Sequence, residues 1–524
     1  MTVNTGSNSD VAKNSAVIMS AQVLGIIAGV GFDVLTAATY GIGLEMDAFF
    51  IALTIPQVIV SVFVSVSIRS LSPLFLKTHE EDGAEKLVTL LSSTINLMLL
   101  LLAGVVCVGI IVAPVSVILL TPGLSAESRK LVVPVARILY LSLLPLAIVE
   151  PLRSYFIFQK RFFLATLSNF LRYAVAFVTL LILRQNGDIL ALGWAYVAGS
   201  FVQAIVYGSV FLFLGGKYKL TLGRNMGAMR LVSARIGPPL IGELIGQSNI
   251  LVERFFGSFL SPGFLSALGY GRRFIVVSNS LIANSVSVAI LPRLSIETIS
   301  KNKEQIRRTI LFGTKLIVFL TGTGTLTLIS LSYFLIMLLF QRGSFDVKAT
   351  AMTATVLSIF APALVFQGLT QFFMVPFFAS GKTKLIMYFR ILFLGLNFVV
   401  SFVLFQLMGG YGLAAALPVS TCLQAMIWLF LLSVELEGLN REFYAFLIKF
   451  LSILALISLG FYFSVGWISR IDNIYLLIGF NGLLLLFGYL IFILLTMKTG
   501  LISTGDLSKI RAIFIKRDAA SFPK

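Results

Sequence analysis

The chain is 524 residues long, and 58% of its residues are hydrophobic whereas only 12% are charged. A water-soluble globule needs far more polar surface than this composition supplies, so the composition excludes a soluble protein and predicts one embedded in lipid. The formal net charge is +18. In a soluble protein that excess would suggest a nucleic-acid partner. Here we expect none, because basic loops beside membrane spans bind anionic lipid head groups.

Fourteen apolar stretches, each about as long as the roughly 20 residues that cross the hydrocarbon core, follow one another along the chain. The predicted fold class is therefore an all-α polytopic membrane protein with fourteen transmembrane helices. The predicted spans are residues 16–38, 48–76, 87–120, 131–158, 163–183, 189–212, 232–255, 264–291, 310–339, 351–378, 385–407, 412–432, 444–467 and 475–496.

Basic connections alternate with connections that hold few basic residues. The connection between spans 6 and 7 holds Lys217, Lys219, Arg224 and Arg230, whereas the connection between spans 5 and 6 holds only Arg184. Lys and Arg concentrate in the cytoplasmic loops of membrane proteins. The alternation therefore predicts that both termini are cytoplasmic.

Three sequence landmarks recur in the same order about 220 residues later, which indicates an internal repeat. Residues 65–68 match 285–288, residues 152–156 match 369–373, and residues 193–196 match 412–415. The repeat unit holds an even number of spans, so both copies cross the membrane in the same direction. Parallel copies are typical of transporters with a substrate site at the repeat interface, although the same duplication also fits a channel or a membrane enzyme.

The spans and the repeat together predict two parallel six-helix lobes followed by two additional C-terminal helices. The predicted segments are a cytoplasmic leader (1–15), an N-lobe with spans 1–6 (16–214), a cytoplasmic linker (215–230), a C-lobe with spans 7–12 (231–434), spans 13 and 14 (435–497) and a basic cytoplasmic tail (498–524).

Spans 7 and 8 hold the most unusual polar residues. An ionisable group at the bilayer centre costs roughly 2.5–3.5 kcal/mol, so each is expected to face a cavity or a partner. Span 7 contains Gln247, Asn249 and Glu253, and span 8 contains Arg272 and Arg273. A guanidinium donates two parallel hydrogen bonds to a diphosphate, which favours Arg273 as a ligand of an anionic headgroup. The alternative is a structural ion pair between one of these arginines and an acidic residue of span 7.

Charged residues also occur in other spans. Asp33 lies deep in apolar span 1, which suggests a cavity-facing or cation-binding role. Arg153, one turn after Glu150, lies nearer a span end, and we expect its side chain to extend to the head groups. The sequence has no evident motif for nucleotide binding, metal binding or a catalytic triad. We therefore expect a protein that is not an enzyme and has no cofactor or metal site.

Five fragments, in order and at matching spacing, carry a resemblance that covers nearly the whole chain. They are residues 47–50 (DAFF), 247–253 (QSNILVE), 270–273 (YGRR), 340–345 (FQRGSF) and 379–384 (ASGKTK). The chain thereby resembles the lipid II flippase family (MurJ, also called MviN), within the multidrug and oligosaccharidyl-lipid/polysaccharide exporters. Arg273 falls on the family's arginine.

The resemblance implies a flippase that moves an undecaprenyl-pyrophosphate-linked saccharide, with lipid II ranked first, from the inner to the outer leaflet by alternating access. It implies a monomer in the bacterial cytoplasmic (inner) membrane. The lipid-linked saccharide and bilayer lipids are its partners, and it works alongside enzymes of cell-wall or polysaccharide synthesis. It further implies that membrane potential or Na⁺ supplies the energy, with Glu253, Asn397 and Ser401 as candidate cation ligands.

The sequence departs from the family at the cationic positions of spans 1 and 2. Residues 32–35 and 58–62 contain no arginine, and Asp33 adds a negative charge instead. The alternative substrates are therefore the lipid-linked repeat units of an exopolysaccharide or an O-antigen. A drug/cation antiporter of similar architecture is a further alternative. A glycan ligase or polymerase is disfavoured, because the predicted outer connections are too short to hold a catalytic domain.

Overall fold

The computed structural model describes residues 8–220, 243–247, 249–282, 303–439 and 441–468, with isolated positions between 286 and 297 and between 483 and 494. Within these ranges the regular elements are helices. Several predicted features lie wholly or partly outside the described residues. They are the start of the leader, most of the linker, the beginning of span 7, the end of span 8, most of span 14 and the basic tail.

The contacts divide the chain into two compact units, and residues 1–266 with 342–345 form unit 1. Helix α1 packs against α7, α7 against α8, and α2 against α4 and α5. The helices of this unit are α1 (Asn8–Tyr40), α2 (Leu44–Asp82), α3 (Ala84–Leu120), α4 (Ala126–Tyr140), α5 (Leu146–Phe158), α6 (Phe162–Thr166), α7 (Ser168–Leu183), α8 (Ile189–Phe213) and α9 (Asn249–Gly257).

Unit 2 comprises residues 267–341 and 346–524. Its first helix, α10, begins at Phe264 in unit 1 and continues into unit 2. Here α14 packs against α15 and α11, and α16 packs against α11. The helices are α10 (Phe264–Leu281), α11 (Lys303–Ser330), α12 (Ser332–Phe340), α13 (Val347–Phe360), α14 (Ala363–Ala379), α15 (Thr383–Glu435) and α16 (Arg441–Ile468).

Three helix starts are fixed by side-chain caps, because the first N–H groups of a helix have no partner within it. Ser125, Asp188 and Asp346 precede α4, α8 and α13, and the side-chain oxygen of each accepts a hydrogen bond from a backbone N–H of the first turn. These caps place the starts of the three helices at polar connections, as expected for chain entering an apolar layer.

Two predicted spans are each broken into a pair of helices at a proline. Pro145 begins α5 after a 3₁₀ turn that ends α4, and Pro362 begins α14 directly after α13. Proline has no N–H to donate and its ring clashes with the preceding turn. Spans 4 and 10 are therefore kinked, a feature that their continuous hydropathy does not reveal.

Eight helices or kinked helix pairs among the described residues are long and apolar enough to cross a membrane, and Ser168–Leu183 is a shorter apolar helix. The prediction of a helical polytopic membrane protein is thereby confirmed in its coarser form. Helix α15 is 53 residues long and contains Gly409 at φ 58° and ψ −132°, which is not helical. Since a crossing needs only about 20 residues, α15 is two helices joined at Gly409.

Unit 1 has an apolar core formed by α2, α3, α5 and α8, with Phe75, Leu91 and Phe156 almost completely buried. Helices α7 and α8 approach especially closely at Gly199. A methyl group built there would lie 2.3 Å from the carbonyl oxygen of Arg172 on α7. Because that oxygen belongs to helix backbone, it cannot move aside as a flexible side chain would.

The substitution Gly199→Ala is expected to destabilise unit 1 by about 1–3 kcal/mol, the usual cost of overpacking. The measurement is the thermal unfolding midpoint of the purified protein in detergent. Gly208→Ala on the same helix is the matched control, because nothing lies within 4 Å of its added methyl group. The control is expected to be neutral or stabilising, and equal midpoints for the two variants would contradict the close approach.

Candidate functional site

Asp47, in the first turn of α2, binds the start of α10 with both carboxylate oxygens. The backbone N–H of Gly263 donates to Oδ2 at 2.6 Å, and that of Ser266 donates to Oδ1 at 2.6 Å. The hydroxyl of Ser266 also donates to Oδ1. The carboxylate is 5% exposed. One buried acidic side chain thus joins two helices that are more than two hundred residues apart in the sequence.

The carboxylate of Asp47 binds well here because its partners are N–H groups at the start of helix α10. The first N–H groups of a helix lack partners within the helix and carry a partial positive charge, so they bind an anion well. Gly263 has φ +92°, a left-handed conformation that glycine adopts without steric cost. The chain can therefore turn sharply before α10 and present its N–H groups to the carboxylate.

A buried ion pair lies beside the Asp47 contact on α9. Nη1 of Arg254 is 3.4 Å from Oε1 of Glu253, and both side chains are nearly inaccessible. The guanidinium carbon of Arg254 lies 5.6 Å from the ring centroid of Phe50, and its charge also acts on Asp47. Unit 1 therefore holds the buried cation Arg254 beside Phe50, which lies in the same helix as Asp47.

A recess of about 200 Å³ adjoins Asp47. Its wall includes the hydroxyl-bearing residues Ser125, Ser128 and Ser258. The backbone N–H of Gly123 donates to Oγ of Ser258 at 3.0 Å, so the α3–α4 connection is joined to the segment before α10. These hydroxyl groups are polar partners to which a water molecule in the otherwise apolar recess can hydrogen-bond.

Four of the predicted site residues lie in unit 1. Asp33 is half-buried on α1, and Glu253 is buried on α9. Gln247, in the helical segment before α9, points Nε2 at Oε1 of Glu243 at 3.5 Å. Asn249 is the first residue of α9 and is half-buried. The segment 243–257 thus holds three of the four, and Asp33 lies on another helix.

The other four predicted residues lie in unit 2. Arg272 and Arg273 are half-buried on α10, and the guanidinium carbon of Arg272 lies 5.7 Å from the ring centroid of Phe360. Asn397 and Ser401 are both buried, one turn apart on α15. Their roles in binding a substrate or a cation remain predictions.

One expectation for a charged residue is wrong. The side chain of Arg153 is largely inside unit 1, with Nη1 3.7 Å from Oε1 of Glu150, and only 18% of it is exposed. Glu150 is itself buried between α5 and its neighbours. The position of a residue along a span does not reveal which helices surround it, so hydropathy alone could not identify this pair.

The Asp47 contact was missed by the sequence reasoning, although Asp47 is part of the quoted DAFF fragment. An acidic residue directly before a long apolar run was the available signal. Its partners are two backbone N–H groups and a serine, none of which has a distinctive sequence pattern. Among the described residues, no group of three or more His, Cys, Asp and Glu side chains is arranged to hold a metal ion.

The fold is that of a known class of helical membrane transporters. A solved structure described as lipid II flippase MurJ in an inward closed conformation matches with a TM-score of 0.74 at 21% identity, covering 96% of this chain and 100% of that one. An inward-facing multidrug resistance MATE family transporter of the MOP superfamily matches with a TM-score of 0.67 at 12% identity, covering 80% and 98%. At these identities the likeness shows the fold alone.

The sequence comparisons identify the family. The family model described as lipid II flippase MurJ matches residues 36–480, so the chain belongs to the MurJ family, and the resemblance seen in the sequence is confirmed. A probable lipid II flippase MurJ of Buchnera aphidicola subsp. Schizaphis graminum is 23% identical, covering 87% of this chain and 91% of the relative. One from Helicobacter pylori strain J99 is 25% identical, covering 84% and 99%.

The substitution Asp47→Asn is expected to loosen the start of α10, because it removes the charge and replaces one acceptor oxygen with a donor. Hydrogen bonds to charged groups contribute about 1.5–3 kcal/mol each, so amide hydrogen exchange of the segment 258–266 should accelerate about tenfold or more.

The matched control for that substitution is Glu45→Gln, which removes the same charge from the same turn of α2 at an exposed position. Its exchange should equal that of the unmodified protein. If Asp47→Asn also leaves the exchange unchanged, the carboxylate does not hold α10 in place.

Proposed function

We propose that this protein is a flippase that moves lipid II, the lipid-linked peptidoglycan precursor, from the inner to the outer leaflet of the bacterial cytoplasmic membrane. The observation that carries the proposal is membership of the MurJ family over residues 36–480. Relatives that cover most of the chain are named as probable lipid II flippases. The protein acts by binding and reorientation, and no chemical step is assigned to it.

The charges in the spans suit this substrate. A pyrophosphate and its sugars need a polar, cationic environment to cross the hydrocarbon layer, whereas the polyprenol tail can stay in lipid. Arg272 and Arg273 supply guanidinium groups on α10, which can bind pyrophosphate oxygens in bidentate fashion. We propose Arg273 of unit 2 as the principal ligand, and Gln247, Asn249 and Asp33 of unit 1 as further polar ligands of the substrate.

The alternating-access part of the proposal is supported by the kind of contact that Asp47 makes. The start of α10 is held by hydrogen bonds to one carboxylate, beside apolar residues such as Leu265 that are themselves buried. Such a contact can be replaced by water on opening, at a net cost of a few kcal/mol. A transporter needs two states that differ in free energy by no more than a few kcal/mol.

We also propose fourteen spans arranged as two parallel six-helix lobes with two added helices. The kinks support the repeat, because Pro145 and Pro362 occupy equivalent places, each between the two halves of a broken span. They are separated by about the same distance as the sequence landmarks, roughly 220 residues.

A second pair of contacts supports the same repeat within each unit separately. After α8, Lys219 forms an ion pair with Glu85 at the start of α3, with Nζ and Oε1 3.1 Å apart. After α15, Glu437 forms one with Lys303 at the start of α11, with Oε1 and Nζ 2.6 Å apart. In each case the chain that leaves a predicted lobe returns to the start of that lobe's third span.

We also propose that membrane potential or Na⁺ supplies the energy for transport. Asn397 and Ser401 offer two buried oxygens on one face of α15, which is compatible with a Na⁺ ligand pair. Glu253 fits that role less well, because the guanidinium of Arg254 lies 3.4 Å from its carboxylate and offsets the charge that would attract a cation. We therefore derive no step through Na⁺.

Further proposals concern the surroundings of the protein. Both termini are cytoplasmic, the protein acts as a monomer, and enzymes of cell-wall or polysaccharide synthesis supply and use its substrate. A second candidate substrate is a lipid-linked repeat unit of an exopolysaccharide or O-antigen. It is favoured by the sequence of spans 1 and 2, where residues 32–35 and 58–62 contain no arginine.

The proposed function is tested by growth of a bacterial strain depleted of its own lipid II flippase. The unmodified protein is expected to restore growth and to restore lipid II to the outer leaflet, as detected by an added enzyme that cannot cross the membrane. Arg273→Ala should abolish both effects at unchanged abundance, and Arg273→Lys should restore them partly, because lysine lacks the bidentate fork.

Arg308→Ala is the matched control, since Arg308 is a highly exposed arginine on α11 that pairs with Glu304. It should support full growth. Failure of the unmodified protein to restore growth, together with export of another lipid-linked glycan, would favour the second substrate. Full growth with Arg273→Ala would remove Arg273 from the site.

A further inference from the structure

The tetrapeptide Arg342–Phe345, which we call the outer strap, belongs to unit 1 although the helices on both sides of it belong to unit 2. Its two ends are well anchored. Phe340 at the end of α12 is almost completely buried, and Asp346 caps the start of α13. The strap is therefore a short connecting segment whose two ends are anchored by neighbouring residues.

The strap binds the last turn of α1. The backbone N–H of Ser344 donates to the carbonyl oxygen of Ala38 at 2.9 Å, and the hydroxyl of Ser344 donates to the carbonyl oxygen of Thr39 at 2.9 Å. The last carbonyls of a helix have no partner within the helix. Ser344 thus satisfies two acceptors that the end of α1 would otherwise present to water.

Two glycines let the backbones meet. Gly41 and Gly343 have φ +63° and +58°. A methyl group at Gly41 would lie 2.3 Å from the carbonyl oxygen of Ser344, and one at Gly343 would lie 2.2 Å from the carbonyl oxygen of Ala38. Each glycine therefore contacts backbone of the opposite segment, and neither can be replaced without separating the strap from α1.

The contact combines two hydrogen bonds with one buried aromatic side chain. Phe345 is buried, whereas Arg342, Gly343 and Ser344 are exposed. A contact confined to one tetrapeptide can open without unfolding the helices on either side of it, which fits a reversible closure.

We propose that the outer strap is a releasable clasp that holds the end of α1 while the outer side of the transporter is closed, and that it leaves α1 in every transport cycle. On the predicted topology the end of α1 and the strap both lie on the outer side. This inference rests on the proposed function. Its contacts differ from those of Asp47, which lies in the first turn of α2 and binds Gly263 and Ser266.

The test is a disulfide between the two segments. Cys107 and Cys422 are first replaced by alanine, and this parent must restore lipid II to the outer leaflet. If the parent fails, the proposed function is at fault and not the strap. The variant Ala38→Cys/Ser344→Cys is then built on the parent, since directly hydrogen-bonded backbones lie within the range that a disulfide spans.

In the reduced state the double-cysteine variant is expected to flip lipid II at close to the parent's rate. Oxidation with copper phenanthroline should join the thiols and lower the rate at least tenfold, and dithiothreitol should restore it. Unchanged flipping by the cross-linked protein would overturn the proposal, as would failure of the thiols to join.

The control disulfide is Ser67→Cys/Ser154→Cys in the same parent. The hydroxyl of Ser154 donates to the carbonyl oxygen of Ser67 at 3.3 Å, between α2 and α5 within unit 1. Cross-linking there should leave the flipping rate unchanged. An equal loss for both cross-links would show that oxidation itself disables the protein and would count against the strap.

A second variant tests the strap without cross-linking. Gly343→Ala should lower flipping at least tenfold, because its methyl group separates the strap from α1. Gly187→Ala measures the cost of left-handed strain alone, since Gly187 has φ +65° and nothing lies within 4 Å of its added methyl group. Equal flipping by the two glycine variants would overturn the proposal.

Discussion

The hydrogen bonds of the Asp47 carboxylate are the interaction on which the structure around the starts of α2 and α10 depends. It receives the backbone N–H groups of Gly263 and Ser266 in a buried setting where an unmatched charge would be costly. The free N–H groups of a helix start need an acceptor, and a buried carboxylate needs donors, so each side satisfies the other. Apolar residues of the same turns, Phe264 and Leu265, are buried beside this contact.

Other charged side chains of unit 1 are paired with a partner of opposite charge. Arg254 and Glu253 neutralise each other on α9, and Glu150 does the same with Arg153 on α5. Charges that would be costly in lipid are thereby retained inside the protein, where they can be rearranged. Arg272 and Arg273 are half-buried, whereas Arg254 is buried, and the proposed function assigns the anionic headgroup to them.

Composition was sufficient to predict a helical membrane protein, and ordered motifs were sufficient to predict the family. Both depend on residues that are close together in the sequence. Hydropathy could not locate the breaks at Pro145 and Pro362, since apolar residues continue through them. It also could not pair Asp47 with Ser266 or Arg153 with Glu150, because contacts depend on which helices become neighbours. The role of the FQRGSF fragment was likewise hidden, since the docking of Ser344 on α1 is a backbone contact.

The central claim is that the protein alternates between states in which the start of α2 is joined to or separated from the start of α10. The most direct measurement is the distance between spin labels at the exposed positions Glu45 and Ser261, in the presence and absence of lipid II. Two distance populations whose ratio changes with lipid II are predicted. A single distance that lipid II leaves unchanged would contradict the account.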